Sequence, residues 1–249
     1  MPGNTWWTNW LAHIAGNNTT PDQYAYHLEG DTSAWSNDLQ NTNGTLAKLL
    51  KDNRLPERQV NINEYANQGE QIPSGAAWWI SRLERYNAIG LRGNWLSGWS
   101  LHDLLANLLT KTSDPHNYNA TDYAPAPEFQ VYKYYNLNMT GSRVETNGSG
   151  DALFDVYATV DDGKVRILSG ARVTSGDWQI TVNGLKAVGL PSEGSVNLQT
   201  WSFPGKSVWD KVDAPTDGGV VSHKYSGDAL TFPVHQTDNS TAWAFEFSR

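Results

Sequence analysis

The hydrophobic pattern of this chain changes near residue 122, and that change limits the folds open to it. Before this point, helix-like segments alternate with short strand-like segments, which is typical of βα units with parallel strands. After the proline-containing segment 124–127 come short runs with period-two alternation, separated by Gly, Asn and Asp. Such runs favour an antiparallel β-sandwich. We therefore predict an α/β domain over residues 1–122 and an all-β domain over residues 123–249.

The first region contains three strand-like segments, at 23–28, 60–64 and 91–95. Apolar residues at helical spacing predict helices around 6–14, 46–50, 77–84 and 101–109. Gly16 is a predicted C-cap, Ser74 a predicted N-cap, and Gly90 the predicted end of the third helix. The number and order of these segments indicate about three βα units.

The second region contains eight runs that we interpret as strands, with no helix between them. Asp162-Gly163 and Asn183-Gly184 are dipeptides that favour tight hairpin turns. The predicted strands are 129–135, 153–160, 165–168, 178–182, 196–203, 220–225, 230–234 and 243–247.

The most informative functional signal is a carboxylate at the end of the second strand. Glu64 follows a short β-branched run and lies between Asn63 and Tyr65. A charged side chain at the end of a buried strand costs desolvation energy unless it forms an ion pair or takes part in a functional site. Barrel enzymes have their active sites at the C-terminal ends of their strands. Glu64 is therefore the candidate catalytic carboxylate. The alternative is a structural ion pair with Arg92 or His27.

Charge and composition narrow the classes of partner. A formal net charge of −8 argues against nucleic acid, and no apolar run is long enough to span a membrane. The chain has 12 Trp and 11 Tyr residues. Flat aromatic rings stack on the apolar faces of sugars, so this content favours a carbohydrate partner, although core packing is the simpler explanation for most of them.

Cysteine is absent, which excludes disulfides and thiolate chemistry, and no His, Asp or Glu spacing matches a metal motif. We therefore expect no cofactor and no metal. Seven N-x-S/T sequons predict a secreted glycoprotein, although the first residues do not resemble a signal peptide. These sequons begin at Asn17, Asn18, Asn43, Asn119, Asn138, Asn147 and Asn239.

Three strand ends together carry a family resemblance. The chain reads strand–His27–helix, strand–Asn63-Glu64-Tyr65–helix, strand–Trp95–helix, and then a sandwich. This order resembles the C-terminal part of a clan-A glycoside hydrolase, in particular fungal proteins similar to family 39. The resemblance implies a partial (β/α)8-type barrel of about three βα units, followed by an antiparallel β-sandwich.

The resemblance also implies roles for the three strand ends. Glu64 matches the nucleophile of a retaining enzyme that acts on β-linked glycans. His27 matches a residue that binds a sugar hydroxyl or orients Glu64, and Trp95 matches an aromatic floor of the sugar site. The structural alternatives are a satisfied histidine and a core tryptophan.

Neighbouring residues are further candidates for sugar contacts. The Asn63 amide and the Tyr65 hydroxyl adjoin Glu64, and Trp35 and Trp99 follow neighbouring strands in loops that would rim the site. His102 is a further rim candidate. In the sandwich, Trp178, Trp201 and Trp243 are candidates for carbohydrate binding if they face solvent, and otherwise the sandwich is a structural support.

A second catalytic carboxylate is missing from the family pattern. About 120 residues cannot supply eight βα units of roughly 30 residues each, and a retaining glycosidase needs both a nucleophile and a proton donor. Glu29, Asp31 and Glu70 are near in sequence but lack the family context. The chain is then a fragment, a subunit whose barrel is completed by a second copy or another chain, or a truncated protein kept for binding. The alternative function is a non-catalytic, lectin-like carbohydrate-binding or host-interaction protein.

Overall fold

A computed structural model describes residues 2–30, 37–93, 108–117 and 119–249. The chain divides into two compact units. The first comprises the described residues within 1–69 and 82–95, and the second those within 70–81 and 96–249. The predicted boundary between residues 122 and 123 stays a prediction.

The first unit is built around a three-stranded parallel sheet with β2 in the centre. Its middle helix begins at Leu39 after an Asp38 N-cap, whose side chain accepts a hydrogen bond from the Gln40 N–H. The elements are α1 (Thr5–Gly16), β1 (Gln23–Leu28), α2 (Leu39–Asp52), β2 (Gln59–Tyr65), α3 (Pro73–Arg85) and β3 (Ile89–Arg92), and α3 continues into this unit from the second.

One face of this sheet is apolar because β1 and β2 alternate as strands with one buried side must. Tyr24, Tyr26 and Leu28 are buried along β1. The ring of Trp7 in α1 meets Tyr26 edge to face, with ring centroids 5.8 Å apart. Helix α1 therefore packs on β1 through large aromatic surfaces, which supply much of the burial in this unit.

The opposite face of β1 and β2 is polar. The Gln23 Nε2 donates to Gln59 Oε1 at 3.4 Å, and Asn61 Nδ2 lies 3.5 Å from Gln23 Oε1. In a closed barrel this would be the inner face of the strands. The face leads along both strands to the side chains of the candidate site.

The third strand begins earlier than predicted. Helix α3 ends at Arg85 rather than at Gly90, which lies inside β3. A Cβ atom at residue 90 would come within 2.6 Å of the Leu83 side chain, so a larger residue would force that side chain out of the space between β3 and α3. Gly90, which we predicted to end the helix, is instead a position in β3 where a small residue is needed for packing.

The second unit is a β-sandwich with a helix. Its largest sheet has six antiparallel strands in the order β11-β10-β13-β8-β7-β6, and β9 pairs with β12 in a second sheet. The elements are β4 (Leu109–Lys111), β5 (Tyr123–Pro125), α4 (Pro127–Asn138), β6 (Ser142–Arg143), β7 (Phe154–Val160), β8 (Lys164–Ala171), β9 (Gly176–Asn183), β10 (Gly194–Phe203), β11 (Thr216–Tyr225), β12 (Ala229–Gln236) and β13 (Ala242–Ser248).

Both faces of the six-stranded sheet are covered. One face packs against β9 and β12 around residues such as Ile167, Ile180 and Phe232. The other packs against α4 and the first turns of α3, where Val131, Ile80 and neighbours are buried. The sandwich therefore has a complete core. Together with the parallel sheet, it confirms the predicted fold class of a partial barrel followed by an antiparallel sandwich.

Two local predictions in this region are wrong. Residues 129–135 form part of helix α4, not a strand, because Pro127 and Glu128 supply helix-start chemistry and Val131 and Tyr134 share a buried face. Asn183-Gly184 does not close a hairpin. Gly184 has a φ of +77° and opens a short 3-10 helix, and β9 pairs with β12 instead.

Two other predictions have different outcomes. Asp162-Gly163 does join a hairpin, since Val160 pairs with Val165 across β7 and β8. The predicted helix at 101–109 lies largely outside the described residues, but its last residue, Leu109, begins strand β4. None of the described helices is long and apolar enough to cross a membrane.

A buried ion pair holds α2 to α3 within the first unit. The Arg82 Nη2 donates to Asp38 Oδ2 at 3.1 Å, its Nε lies 3.1 Å from Asp38 Oδ1, and both side chains are buried. Because Asp38 also caps α2, its carboxylate both accepts a backbone hydrogen bond at the start of the helix and pairs with the buried Arg82 guanidinium. Removal of one partner from such a pair leaves an uncompensated buried charge.

We expect Asp38→Asn to lower the free energy of unfolding by about 3–5 kcal/mol, because Asn preserves the cap but removes the carboxylate charge that the buried Arg82 guanidinium contacts. Urea denaturation measures this. Asp52→Asn is a matched control on the same helix, since the Asp52–Lys48 pair is exposed and should contribute less than about 1 kcal/mol. Similar losses in the two variants would contradict the prediction.

Candidate functional site

A β-bulge in β2 determines where the Glu64 side chain points. Tyr26 pairs with Ile62, but His27 pairs with Glu64, so Asn63 is an extra residue in β2. The pairing with β3 shifts over the same residues. Strict alternation would place Glu64 on the face of the fully buried Ile62. The bulge turns Glu64 to the polar face instead, as bulges beside active sites commonly do.

Three titratable side chains meet at the C-terminal edge of β1 and β2. The His27 Nδ1 lies 3.2 Å from Glu29 Oε2 and 3.3 Å from Glu64 Oε2. Glu29 and Glu64 also share a side-chain hydrogen bond. His27 and Glu64 are about half exposed, at 48% and 46%, whereas Glu29 is only 16% exposed. The cluster is therefore open to solvent on the His27 and Glu64 side.

The pKa of Glu29 is raised above that of an ordinary glutamate. Burial is the largest cause, followed by the hydrogen bond and the negative charge of Glu64, while His27 acts in the opposite direction. A hydrogen bond between two carboxyl groups requires a proton on one of them. Glu29 therefore retains its proton at pH values at which an isolated glutamate is ionised.

The cluster has three kinds of chemistry open to it. A carboxylate beside a proton-holding carboxyl is the pair that acid–base and nucleophilic reactions use. The same three groups have ligand atoms within 4.8 Å of one another, which suits a metal ion. The expectation of no metal came from spacing in sequence, which cannot show ligands that two strands bring together. Polar contacts to a bound hydroxyl are the third option.

The structure places two further predicted residues on opposite sides of β2. Asn63 occupies the bulge, and its Oδ1 atom is buried without a hydrogen-bond partner. Tyr65 is buried on the apolar face, with the Arg92 guanidinium 5.6 Å from its ring centroid. Their roles as sugar contacts stay predictions. Those of Trp35, Trp95 and Trp99 also stay predictions because these residues, with His102, lie outside the described residues.

The three carboxylates considered as proton donors have different surroundings. Glu29 belongs to the cluster with Glu64. Glu70 is buried in the second unit, where the Arg172 Nε donates to its Oε1 at 2.7 Å, so it serves a structural ion pair. Asp31 lies outside the described residues. The sequence did not distinguish Glu29 from Asp31 and Glu70, because all three lie outside the predicted strands.

The sandwich tryptophans proposed as surface platforms are all partly buried. Trp178 stacks on Phe154 with ring centroids 5.0 Å apart, and the Trp243 indole donates to Gln236 Oε1 at 2.7 Å. Trp201 packs against the core shared with α4. These contacts are those of packing residues.

Sequence reasoning missed the surface beside the cluster. A shallow pocket of about 520 Å³ extends from His27 and Glu29 to the N-terminus of α1. Trp6 is among the apolar residues of the predicted helix 6–14 but is 64% exposed, whereas Trp7 is buried. The signal was present, because Trp6 falls outside the i, i+4, i+7 set of Trp7, Leu11 and Ile14. The pocket is lined by Asn4, Trp6, Trp7, Ala25, Tyr26, His27, Glu29, Gly30 and Asn37.

No family model and no curated protein matches the chain. Solved structures do match. N2152 from Neocallimastix frontalis has a TM-score of 0.79 at 22% identity, covering 97% of this chain and 57% of that one. A glucosidase from Croceicoccus marinus has a TM-score of 0.54 at 11% identity, covering 97% and 56%. A family 44 xyloglucanase from Paenibacillus polymyxa has a TM-score of 0.51 at 12% identity, covering 100% and 52%.

These similarities establish a glycoside-hydrolase-like fold. The chain spans little more than half the length of each of the three proteins. The similarity extends over both units, since 97% or more of this chain is covered in every case. At these levels of identity the similarity concerns the fold alone.

We expect Glu29→Gln to change how stability depends on pH. Because the folded-state pKa of Glu29 is raised, the folded state binds the proton more tightly. The wild-type chain therefore loses unfolding free energy as pH rises from about 4.3 through the folded pKa. The Gln variant, which keeps a donor to Glu64 without the charge, should lack that loss. Urea denaturation between pH 4 and 8 measures the difference.

The matched control is Glu57→Gln, at an exposed position in the first unit. Its stability relative to wild type should stay constant over the same pH range. If the unfolding free energy of Glu29→Gln relative to wild type is also independent of pH, the buried carboxyl group does not hold a proton.

Proposed function

We propose that this chain is the C-terminal part of a glycoside hydrolase that acts on β-linked glycans with retention, with Glu64 as its nucleophile. One observation carries the proposal. The bulge at Asn63 directs the Glu64 carboxylate to the polar face at the C-terminal end of a central parallel strand. In barrel enzymes that is the edge at which active sites lie. The glycoside-hydrolase-like fold supports the same reading.

In the proposed reaction, Glu64 attacks the anomeric carbon and forms a glycosyl ester while the aglycone oxygen leaves with a proton. Water then cleaves the ester and restores the β configuration. His27, 3.3 Å from Glu64, orients the carboxylate or holds a sugar hydroxyl. Asn63, Tyr65, Trp35, Trp95 and Trp99 are the proposed sugar contacts.

Glu29 is better suited to position Glu64 than to protonate the leaving group. Retaining enzymes hold their two carboxyl groups about 5–5.5 Å apart so that the sugar fits between them. The nearest carboxyl oxygen atoms of Glu29 and Glu64 lie within 4.8 Å of each other, which is closer than that spacing. We propose that the acid/base residue comes from outside the described residues, on a second copy or another chain that completes the barrel.

The described part of the sheet supports that arrangement. Among the described residues, β1 and β3 each pair only with β2, so each has an edge at which a further strand can add. The proposed partners are thus a carbohydrate substrate and a homo-oligomeric or separate chain that supplies the remaining strands.

Secretion as a fungal-type glycoprotein is also part of the proposal. Asn119, Asn138, Asn147 and Asn239 begin sequons and are exposed, as glycan acceptors must be. One of the similar structures comes from a fungus, Neocallimastix frontalis.

The nucleophile is tested with 2,4-dinitrophenyl β-glucoside, β-xyloside and β-galactoside, whose leaving group departs without a proton. Wild-type protein should form a glycosyl-enzyme that azide intercepts as the β-glycosyl azide. Glu64→Gly should lose at least about a thousandfold in turnover, about 4 kcal/mol. Added azide should then restore activity and give the α-glycosyl azide, because one displacement replaces two.

The stereochemistry of the azide product assigns the role of each carboxylate. Glu29→Gln is the matched control and should still give the β product, since it leaves the nucleophile in place. A Glu64→Gly protein that retains turnover, or that gives the β-glycosyl azide, would rule out Glu64 as the nucleophile.

The second candidate function is carbohydrate binding without catalysis. The exposed Trp6 beside the cluster favours it, because an aromatic surface binds a sugar whether or not hydrolysis follows. Glycan binding without a glycosyl-enzyme from any of the three dinitrophenyl glycosides would support this function over hydrolysis.

A further inference from the structure

We propose that Trp6 is the stacking platform of a sugar subsite bounded by Asn4, Asn37 and the edge of the His27–Glu29 cluster, and that its ligand is a neutral β-linked glycan. The inference rests on the proposed function for the class of ligand. It adds a surface that neither the strand-end motifs nor the fold similarity assigns.

Trp6 lies outside the buried face of α1. The buried stripe of the helix consists of Trp7, Leu11 and Ile14, and Trp6 lies off that stripe at 64% exposure. A single exposed apolar residue is common and needs no explanation. Trp6 differs because it lines a concave surface that also contains titratable groups.

The Trp6 indole is held rigidly. It stacks on Trp10 with ring centroids 5.6 Å apart and an interplanar angle of 15°, and it meets Trp7 edge to face at 5.9 Å. Trp10 in turn contacts Tyr24 of β1 edge to face. Trp10 does not line the pocket, whereas Trp6 does. Trp10 therefore supports the indole from behind, and binding a ring on it costs little conformational entropy.

Polar groups surround this aromatic surface. The Asn4 Oδ1 accepts the Trp7 N–H at 3.0 Å as the cap of α1, and Asn4 lines the pocket. Asn37 is buried at the pocket floor. Amides, an imidazole and a carboxyl around one aromatic face match the hydroxyls and the apolar C–H face of a pyranose.

The absence of a side chain at Gly30 leaves room for the Asn37 side chain that lines the pocket. A Cβ atom on residue 30 would fall 2.1 Å from the Asn37 Nδ2, so any larger residue would displace the Asn37 amide from this position. The Asn67 Nδ2 donates to the Gly30 carbonyl at 2.9 Å and holds the loop after β1 in place. The side chains that would contact a sugar are thus positioned before it binds.

The charge around the pocket selects among glycans. Glu29 lines it and Glu64 contacts Glu29, within a chain of net charge −8. Because Glu29 holds a proton, the like charge that a glycan carboxylate would meet is that of Glu64 and of the acidic chain, which is unfavourable. The ligand is therefore a neutral chain, with one residue on Trp6 and the next toward Glu64.

Calorimetric titration of Glu64→Gln protein with cellohexaose, xylohexaose and hexamannuronic acid, all β-1,4-linked, tests the proposal, because turnover is blocked and only binding is measured. A neutral hexamer should bind and the acidic one should not. Adding Trp6→Ala should weaken binding of the neutral hexamer at least about tenfold, as expected for a buried aromatic contact. Trp6→Phe should restore most of it, because the ring is kept.

Leu137→Ala is the matched control, since Leu137 is 60% exposed on α4 of the second unit. It should leave binding unchanged. Circular dichroism verifies that every variant is folded. Binding by Trp6→Ala within twofold of its parent, or failure of the parent to bind either neutral hexamer, would overturn the inference.

This outcome is separable from the fate of the proposed nucleophile. Loss of binding in Trp6→Ala, combined with no glycosyl-enzyme from the dinitrophenyl glycosides, would keep the subsite and reject hydrolysis. The reverse combination would keep Glu64 as the nucleophile and reject Trp6 as a platform.

Discussion

The pairing register of β2 with its two neighbours is the constraint on which the candidate site depends. One extra residue, Asn63, shifts the pairing on both sides of the strand, so that Glu64 lies opposite His27. Without it, the carboxylate would point into the apolar layer beside Ile62, where an unpaired charge is costly. The packing of β1 against α1 and the Asp38–Arg82 pair hold the strands that define this register.

Carboxylates in this protein fall into two electrostatic groups. Asp38 and Glu70 are buried against Arg82 and Arg172, which compensate their charge. At the end of β1 and β2, by contrast, Glu29 and Glu64 lie against each other. Among the described residues, His27 is the basic group that contacts them. Two acids held against each other do not stabilise the fold by ion pairing, and this arrangement is the one on which the proposed function rests.

The two units differ in how completely their sheets are covered. The six-stranded sheet of the second unit is buried on both faces, by β9 and β12 on one side and by helices on the other. The parallel sheet of the first unit has one apolar face covered by helices and one polar face with the candidate site at its end. This difference explains why the proposed function involves further strands around the first unit, whereas the sandwich needs nothing more for a core.

The sequence by itself determined the class of fold and the position of Glu64 and His27 at strand ends, because burial on one face imposes a period that can be read directly. The sequence analysis predicted a strand where α4 lies, because the aromatic residues at 129–135 are compatible with a strand or a helix. The burial of Val131 and Tyr134 on one face shows that the segment is a helix. Tertiary structure alone decided the bulge, the Glu29–Glu64 contact and the pocket that Trp6 lines. Each depends on which side chains from different elements meet, and hydrophobic periodicity carries no information on that.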